Sequence, residues 1–156
     1  YMLYEVINRT GRDVDFLPSI ELVTDTLQVV QAGAEIHPRV YDLIRQRHRK
    51  EFPFLRTPYE VTGRLLQGEE NARASVAVFR DFDATASRFT IYASGFSGRM
   101  QRKPNPEFDR SRGESPDNPP YFVLRRTLAI VYDLPGDPQT RHQAKPVRRT
   151  RTWVWR

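Results

Sequence analysis

The chain has 156 residues, 38% of them hydrophobic and 12% aromatic, a net charge of +6 and no cysteine. That length suits one domain able to bury about two-thirds of its unfolded surface, so folding requires neither metal nor disulfide. The missing cysteines exclude disulfide frameworks, thiolate metal centres and cysteine nucleophiles, and leave the redox compartment open.

Met2–Ile7, a turn at Asn8–Asp13 and Val14–Val23 read as strand, turn, strand. Asp25-Thr26 makes a tight turn into a short strand at Leu27–Val30, completing a meander. Between Pro38 and Arg49 the period changes: Val40, Leu43, Ile44 and Arg47 fall at helical spacing, with Pro38 at a favoured first-turn position, which predicts one helix of about three turns. Strand alternation returns at Tyr59–Leu65 and, after a turn at Gln67–Glu70, at Ala74–Phe79. Asp81–Ala84 is a connection. Arg88–Ser94 is a strand with Phe89, Ile91 and Ala93 on one face.

Residues 95–120 contain five of the twelve prolines together with Gly98, Gly113 and many charges, and predict one long Pro-rich loop that is either a binding element or a flexible excursion. Tyr121–Asp133 is the clearest strand. After a second loop at 134–146, Val147–Arg156 reads as an edge strand with Arg149, Arg151, Trp153 and Trp155 on one parity. Turn signals at this spacing, with one helical interruption, argue for an all-β, immunoglobulin-like antiparallel β-sandwich in a single domain over residues 1–156. The chain begins at Tyr1 inside a strand without an initiator methionine, so a further segment upstream is expected.

Chemistry-bearing constellations are sparse. His37, His48 and His142 sit in no nucleophile motif, and the eleven residues separating the first two match no zinc spacing. Gly95-Phe96-Ser97-Gly98 lacks the G-x-S-x-G spacing of a strained nucleophilic serine. Asp13-x-Asp15 and Asp81-x-Asp83 read as turn chemistry, because neither stretch has the glycine and distal glutamate of a dedicated calcium loop. Asn8-Arg9-Thr10 fits a glycosylation acceptor at a tight turn. No phosphate-cradling loop is present, and the sequence assigns no catalytic residue, cofactor or metal. Dispersed carboxylates at Glu69, Glu70, Asp81 and Asp83 would make a hydrolase only if two of them met at about 5 to 9.5 Å.

The basic surface remains. Twenty-two arginines stand against Lys50, Lys103 and Lys145. That skew reflects either a GC-rich genome or a face for polyanions, which guanidinium groups recognise bidentately. Arg99, Arg102 and Lys103 from the loop, with Arg148, Arg149 and Arg151 beside Trp153 and Trp155, form the candidate partner-binding set. Cations interleaved with aromatics suit nucleic acid or acidic glycan. The loop's Glu107, Asp109, Glu114 and Asp117 weigh against that, and a tryptophan pair suits an interface anchor.

The segments Tyr4–Phe16 and Glu21–Thr26, continuing through Leu66–Ala74 and Phe89–Tyr92, resemble an uncharacterised family of secreted or envelope proteins from planctomycete-type bacteria. More loosely, they resemble extracytoplasmic immunoglobulin-like sandwiches. The resemblance implies a periplasmic or extracellular location and a region upstream of Tyr1, and transfers no catalytic residue. The resulting expectation is a non-enzymatic structural or protein-interaction module of the bacterial cell envelope, a subunit or accessory of a larger assembly, whose partners are other protein subunits. The alternative is a polyanion-binding β-domain for nucleic acid or acidic polysaccharide.

Overall fold

The computed structural model describes residues 1–156, the side chain of His142 excepted. The described chain is all-β with one helix: β1 (Met2–Asn8), β2 (Val14–Phe16), β3 (Ser19–Thr24), β4 (Val29–Gln31), α1 (Pro38–His48), β5 (Gly63–Leu65), β6 (Gly68–Ala77), β7 (Arg88–Ser94), β8 (Met100–Pro104), β9 (Tyr121–Asp133) and β10 (Val147–Trp155). All strand pairings between these elements are antiparallel. The main sheet runs β10-β9-β7-β3-β4, with β8 attached to β9; β1 pairs with β6, and β2 with β5.

Three layers follow from side-chain alternation. Ile20, Leu22, Phe89, Ile91 and Ala93 form the inner face of the main sheet, and Met2, Tyr4 and Ala77 of the β1–β6 ribbon pack against it. The opposite face of that ribbon offers Leu3, Ala74 and Val76, on which α1 seats Tyr41 and Ile44. A smaller cluster of Val6, Phe16, Val61 and Leu65 closes one end around the β2–β5 pair. Over Met2–Tyr4 and Ala74–Ala77 the ribbon is thus covered on both sides, which small and apolar side chains on both parities permit.

The helix begins as its proline predicts, with the His37 imidazole Nδ1 accepting from the Arg39 amide at 3.2 Å in place of the usual hydroxyl or carboxylate cap. At its other end, His48 contacts the Tyr1 hydroxyl through Nε2 at 2.8 Å. The side chain of His142 lies outside the described residues.

Several expected boundaries move. The opening strand, turn and strand do not form a hairpin, because β1 and β2 pair with different partners. The second of them is broken at Leu17-Pro18, since proline cannot donate to a ladder. At that break Gly95 is required: it has φ +84, and a Cβ there would lie 2.4 Å from the Leu17 carbonyl oxygen. Gly95–Gly98 is accordingly a sheet exit, with Ser97 Oγ accepting from the Arg99 amide.

Gln67–Glu70 is not a turn either. Gly68 onward already pairs with β1, and Glu69 meets Arg9 across the ribbon at 2.8 Å. Polar residues tolerate strand geometry where one side faces water. Most of the expected strand at Tyr59–Leu65 is instead a turn, closed when Glu60 Oε2 accepts from the Thr57 amide at 2.7 Å and Thr57 Oγ1 accepts from the Glu60 amide at 3.3 Å. Only Gly63–Leu65 is strand. The third strand begins at Val29 rather than Leu27.

Asn8 closes the first turn from inside. It is 3% exposed, and its amide nitrogen donates to the Arg12 and Leu65 carbonyls at 2.8 and 3.0 Å while its oxygen accepts from the Thr10 amide and hydroxyl. A glycan on this nitrogen would remove those bonds and find no room. Replacing Asn8 with Ala is expected to cost about 1–3 kcal/mol, the penalty for orphaning buried carbonyl and amide partners, measurable by urea denaturation.

Three carboxylates tie distant segments together in their ionised form. The Ser87 hydroxyl holds Asp25 below its ordinary value, the Thr57 amide does the same for Glu60, and Arg88, followed by Arg149, does so for Asp133. A lowered folded-state pKa means that the unfolded chain takes up the proton first. Stability from these groups is therefore present above their ordinary values of 3.8 to 4.5 and is lost as pH falls through the folded-state values. Melting temperature should be level from neutral pH to about pH 5 and fall below it. Asp133→Asn should blunt that fall in a pH series of thermal melts.

Candidate functional site

The site is built on the length of β9. Its thirteen residues exceed the seven of β7, so only Leu128–Asp133 pair with β7. The remaining half runs past the end of β7, where β8 takes over the same edge, from Met100 opposite Arg125 to Pro104 opposite Tyr121. At about 3.3 Å per residue, this overhang forms a hairpin arm roughly 17 Å long.

Expected as one loop, 95–120 therefore divides into a strand and an ordered tip. Met100–Pro104 is strand despite its proline because Pro104 is the terminal residue, where a missing donor costs little. The tip is organised by Asn118, which is 4% exposed. Its amide nitrogen donates to the Asp109 and Gly113 carbonyls at 2.8 and 2.6 Å, and its oxygen accepts from the Asp109 amide at 3.0 Å. Asn105 adds a second clamp by donating to the Pro119 carbonyl at 2.8 Å. Asp109 caps a 3-10 turn at Arg110–Arg112 and is held below its ordinary pKa, chiefly by the Ser111 hydroxyl.

The arm exposes apolar groups on both faces. Tyr121 and Val123 share one face with Met100 and Arg102, while Phe122 and Leu124 share the other with Gln101 and Lys103. Met100 is 63% exposed, Val123 56%, Tyr121 53% and Phe122 46%. Side chains of this kind in a contiguous patch, bordered by charge, are the mark of an interaction surface. The second face continues onto β10, where Trp153 stands opposite Leu128 and Trp155 opposite Arg126. Arg126 lies over the Trp153 ring at 5.0 Å.

The predicted residues fall into two groups. Arg99, Arg102 and Lys103 belong to the arm, and Trp153 and Trp155 flank its base. Arg148 and Arg149 sit at the far end of β10, seven and six residues from Trp155, or roughly 20 Å. The expected parity is also corrected. A bulge between Arg148 and Thr150 puts Arg148, rather than Arg149, on the face of Arg151, Trp153 and Trp155. Arg149 pairs instead with Asp133, beside Arg88.

Sequence reasoning missed Met100, Tyr121, Phe122, Val123, Arg125 and Arg126. One signal was available: Tyr121–Asp133 is the longest of the expected strands and carries apolar residues on both parities. Among the described residues Arg99, Arg102, Lys103, Arg125, Arg126 and Arg151 form no ion pair, whereas Arg156 is committed to Glu21 at 2.6 Å and to the Tyr92 ring at 4.4 Å.

The dispersed carboxylates lie at the two ends of β6, Glu69 and Glu70 at its start and Asp81 and Asp83 beyond its finish. Asp83 accepts from the Thr85 amide and hydroxyl at 2.9 and 2.7 Å and is held below its ordinary value, the opposite of what a general acid requires. Asp13 likewise serves structure, accepting from the Gln67 amide at 3.0 Å and pairing with Arg64 at 3.4 Å. Comparison with protein-family models, curated proteins and solved structures returned no match, so no activity reaches this chain from a relative.

Asn118→Ala should loosen the tip alone. Hydrogen exchange across 105–120 is expected to rise by about tenfold or more, as loss of about 1–3 kcal/mol of local bonding implies, while exchange in β7 and β3 stays unchanged.

Proposed function

We propose that this chain is a non-enzymatic protein-interaction module of the bacterial cell envelope, an immunoglobulin-like sandwich acting as a subunit or accessory of a larger assembly. The observation that carries this reading is the β8–β9 arm, with Met100, Tyr121, Phe122 and Val123 exposed on its two faces and an ordered tip beyond them. Burying these four side chains against a partner would remove apolar surface worth several kcal/mol, enough to anchor a standard interface. The antiparallel layers packed through Ile20, Leu22, Phe89 and Ala77 support the sandwich class. The envelope location rests on the sequence resemblance alone.

A protein partner of this arm would be acidic at its contact. Among the described residues Arg99, Arg102, Lys103, Arg125 and Arg126 pair with no carboxylate, and like charge would repel a basic surface. The same unpaired cations beside Trp153 and Trp155 favour the second reading, a polyanion such as nucleic acid or acidic polysaccharide, because cations tracking a backbone next to stacking rings serve single strands.

The two readings separate by salt and by substitution. Met100→Ser, Phe122→Ser and Val123→Ser combined alter only exposed or edge positions and should leave the melting temperature within a few degrees of the parent. For a protein interface, this variant should lose capture of envelope-extract partners that the parent retains in 0.5 M salt, a concentration chosen to be roughly three times physiological. Binding to heparin or oligo-dT that falls steeply and linearly in log salt, and survives the triple replacement, would establish the polyanion reading instead.

A further inference from the structure

A second concave surface lies away from the arm, where the β1–β6 ribbon leaves part of the main sheet uncovered. It is a cleft of about 820 Å³ between that sheet, the 79–84 connection and the segment 141–146. This is within the roughly 300 to 1,000 Å³ of small-molecule sites. The floor consists of Leu22, Phe89, Ile91, Tyr132 and Leu134, and Phe79 and Phe82 form a wall. The rings brace one another: Phe89 and Tyr132 lie 5.2 Å apart at 20°, and Phe82 meets Phe89 at 5.6 Å, which leaves the half-buried Phe79, Phe82 and Tyr132 to meet a ligand.

The rim is polar and of both signs. Arg80 is committed to Glu35 at 2.7 Å, and Asp83 to Thr85. Arg141 is fixed at the rim by donating from Nε to the Gly136 carbonyl at 2.8 Å and from Nη1 to the Thr85 carbonyl at 2.7 Å. Among the described side chains two charges remain, Asp81 and Lys145, and both line the cleft. Neither has an ion-pair or hydrogen-bond partner among the described residues, and they do not pair with one another.

An uncommitted cation and an uncommitted anion, held apart at the edge of an aromatic floor, match one ligand chemistry. We propose that the cleft binds a small zwitterion with an apolar body, of the kind a short apolar peptide presents: its carboxylate to Lys145 beside Arg141, its ammonium to Asp81, and its rings on the half-buried Phe79, Phe82 and Tyr132. A simple fatty acid would leave Asp81 facing an acyl chain, and an amphipathic cation would leave Lys145 without a counter-charge. The arm has no part in this site, and the proposal does not rest on the function proposed for it.

The test is calorimetric titration of the whole chain with the dipeptide Phe-Phe, with N-acetyl-Phe-Phe and with Phe-Phe-amide. Phe-Phe should bind, and blocking either end should weaken binding at least tenfold. Lys145→Ala should weaken Phe-Phe and leave the affinity for the amide unchanged; Asp81→Ala should weaken Phe-Phe and leave the affinity for the acetylated form unchanged. Ala144→Trp, which places a large ring at the rim, should remove binding of all three while the melting temperature stays near that of the parent. Absence of Phe-Phe binding, equal affinity for the three forms, or loss of all forms equally in the Lys145 and Asp81 variants would overturn the proposal.

Discussion

The length of β9 organises this protein. A strand of thirteen residues cannot be satisfied by one neighbour of seven, and its backbone groups must be paired wherever they are removed from water. β9 solves this by sharing one edge between β7 and β8 and giving most of the other to β10. One half of the strand is therefore core and the other half is arm. The same parity that packs Leu128 and Tyr132 against the core in the first half leaves Phe122 46% exposed in the second, because no layer lies over the overhang.

The other elements can be understood as consequences of that division. The β1–β6 ribbon covers only part of the main sheet, which buries Ile91 to 3% but leaves Trp153 at 39% and Trp155 at 44% on the continuation of the same face. Where coverage stops toward β10, aromatic groups meet water beside the arm; where it stops toward the 79–84 connection, the sheet floors a cleft. α1 contributes to neither site. Its work is to seal the outside of the ribbon through Tyr41 and Ile44, and it leaves the buried Tyr41 hydroxyl without a hydrogen-bond partner among the described residues.

Charge is distributed along the same lines. Arginines within the body are mostly spent on structure: Arg88 and Arg149 on Asp133, Arg45 on Glu60, Arg156 on Glu21 and Tyr92. Exposed pairs of this kind contribute little individually. Their larger effect is to consume cations, so that the unpaired guanidinium groups are concentrated at the arm and along β10. Net charge alone could not distinguish these two populations, since it counts a paired arginine and a free one equally.

The β-class, the helix near 38–49 and the strands 88–94, 121–133 and 147–156 were legible in the sequence because alternation and helical spacing are local, and Pro38 marks a helix start wherever the helix packs. Polar segments were less legible. Gln67–Glu70 has turn composition and strand geometry, and Tyr59–Thr62 the reverse, because the first finds backbone partners on β1 and the second is closed by Glu60 and Thr57. Which residues alternate, and that cations and tryptophans are abundant near the C-terminus, can be read along the chain without its fold. Which strand each edge pairs with, the bulge that exchanges Arg149 for Arg148 on the tryptophan face, and the projection of half of β9 beyond the core emerge from the folded arrangement. Pairing and coverage are long-range properties, set by what other segments offer, and no local pattern encodes the point at which a neighbouring strand ends.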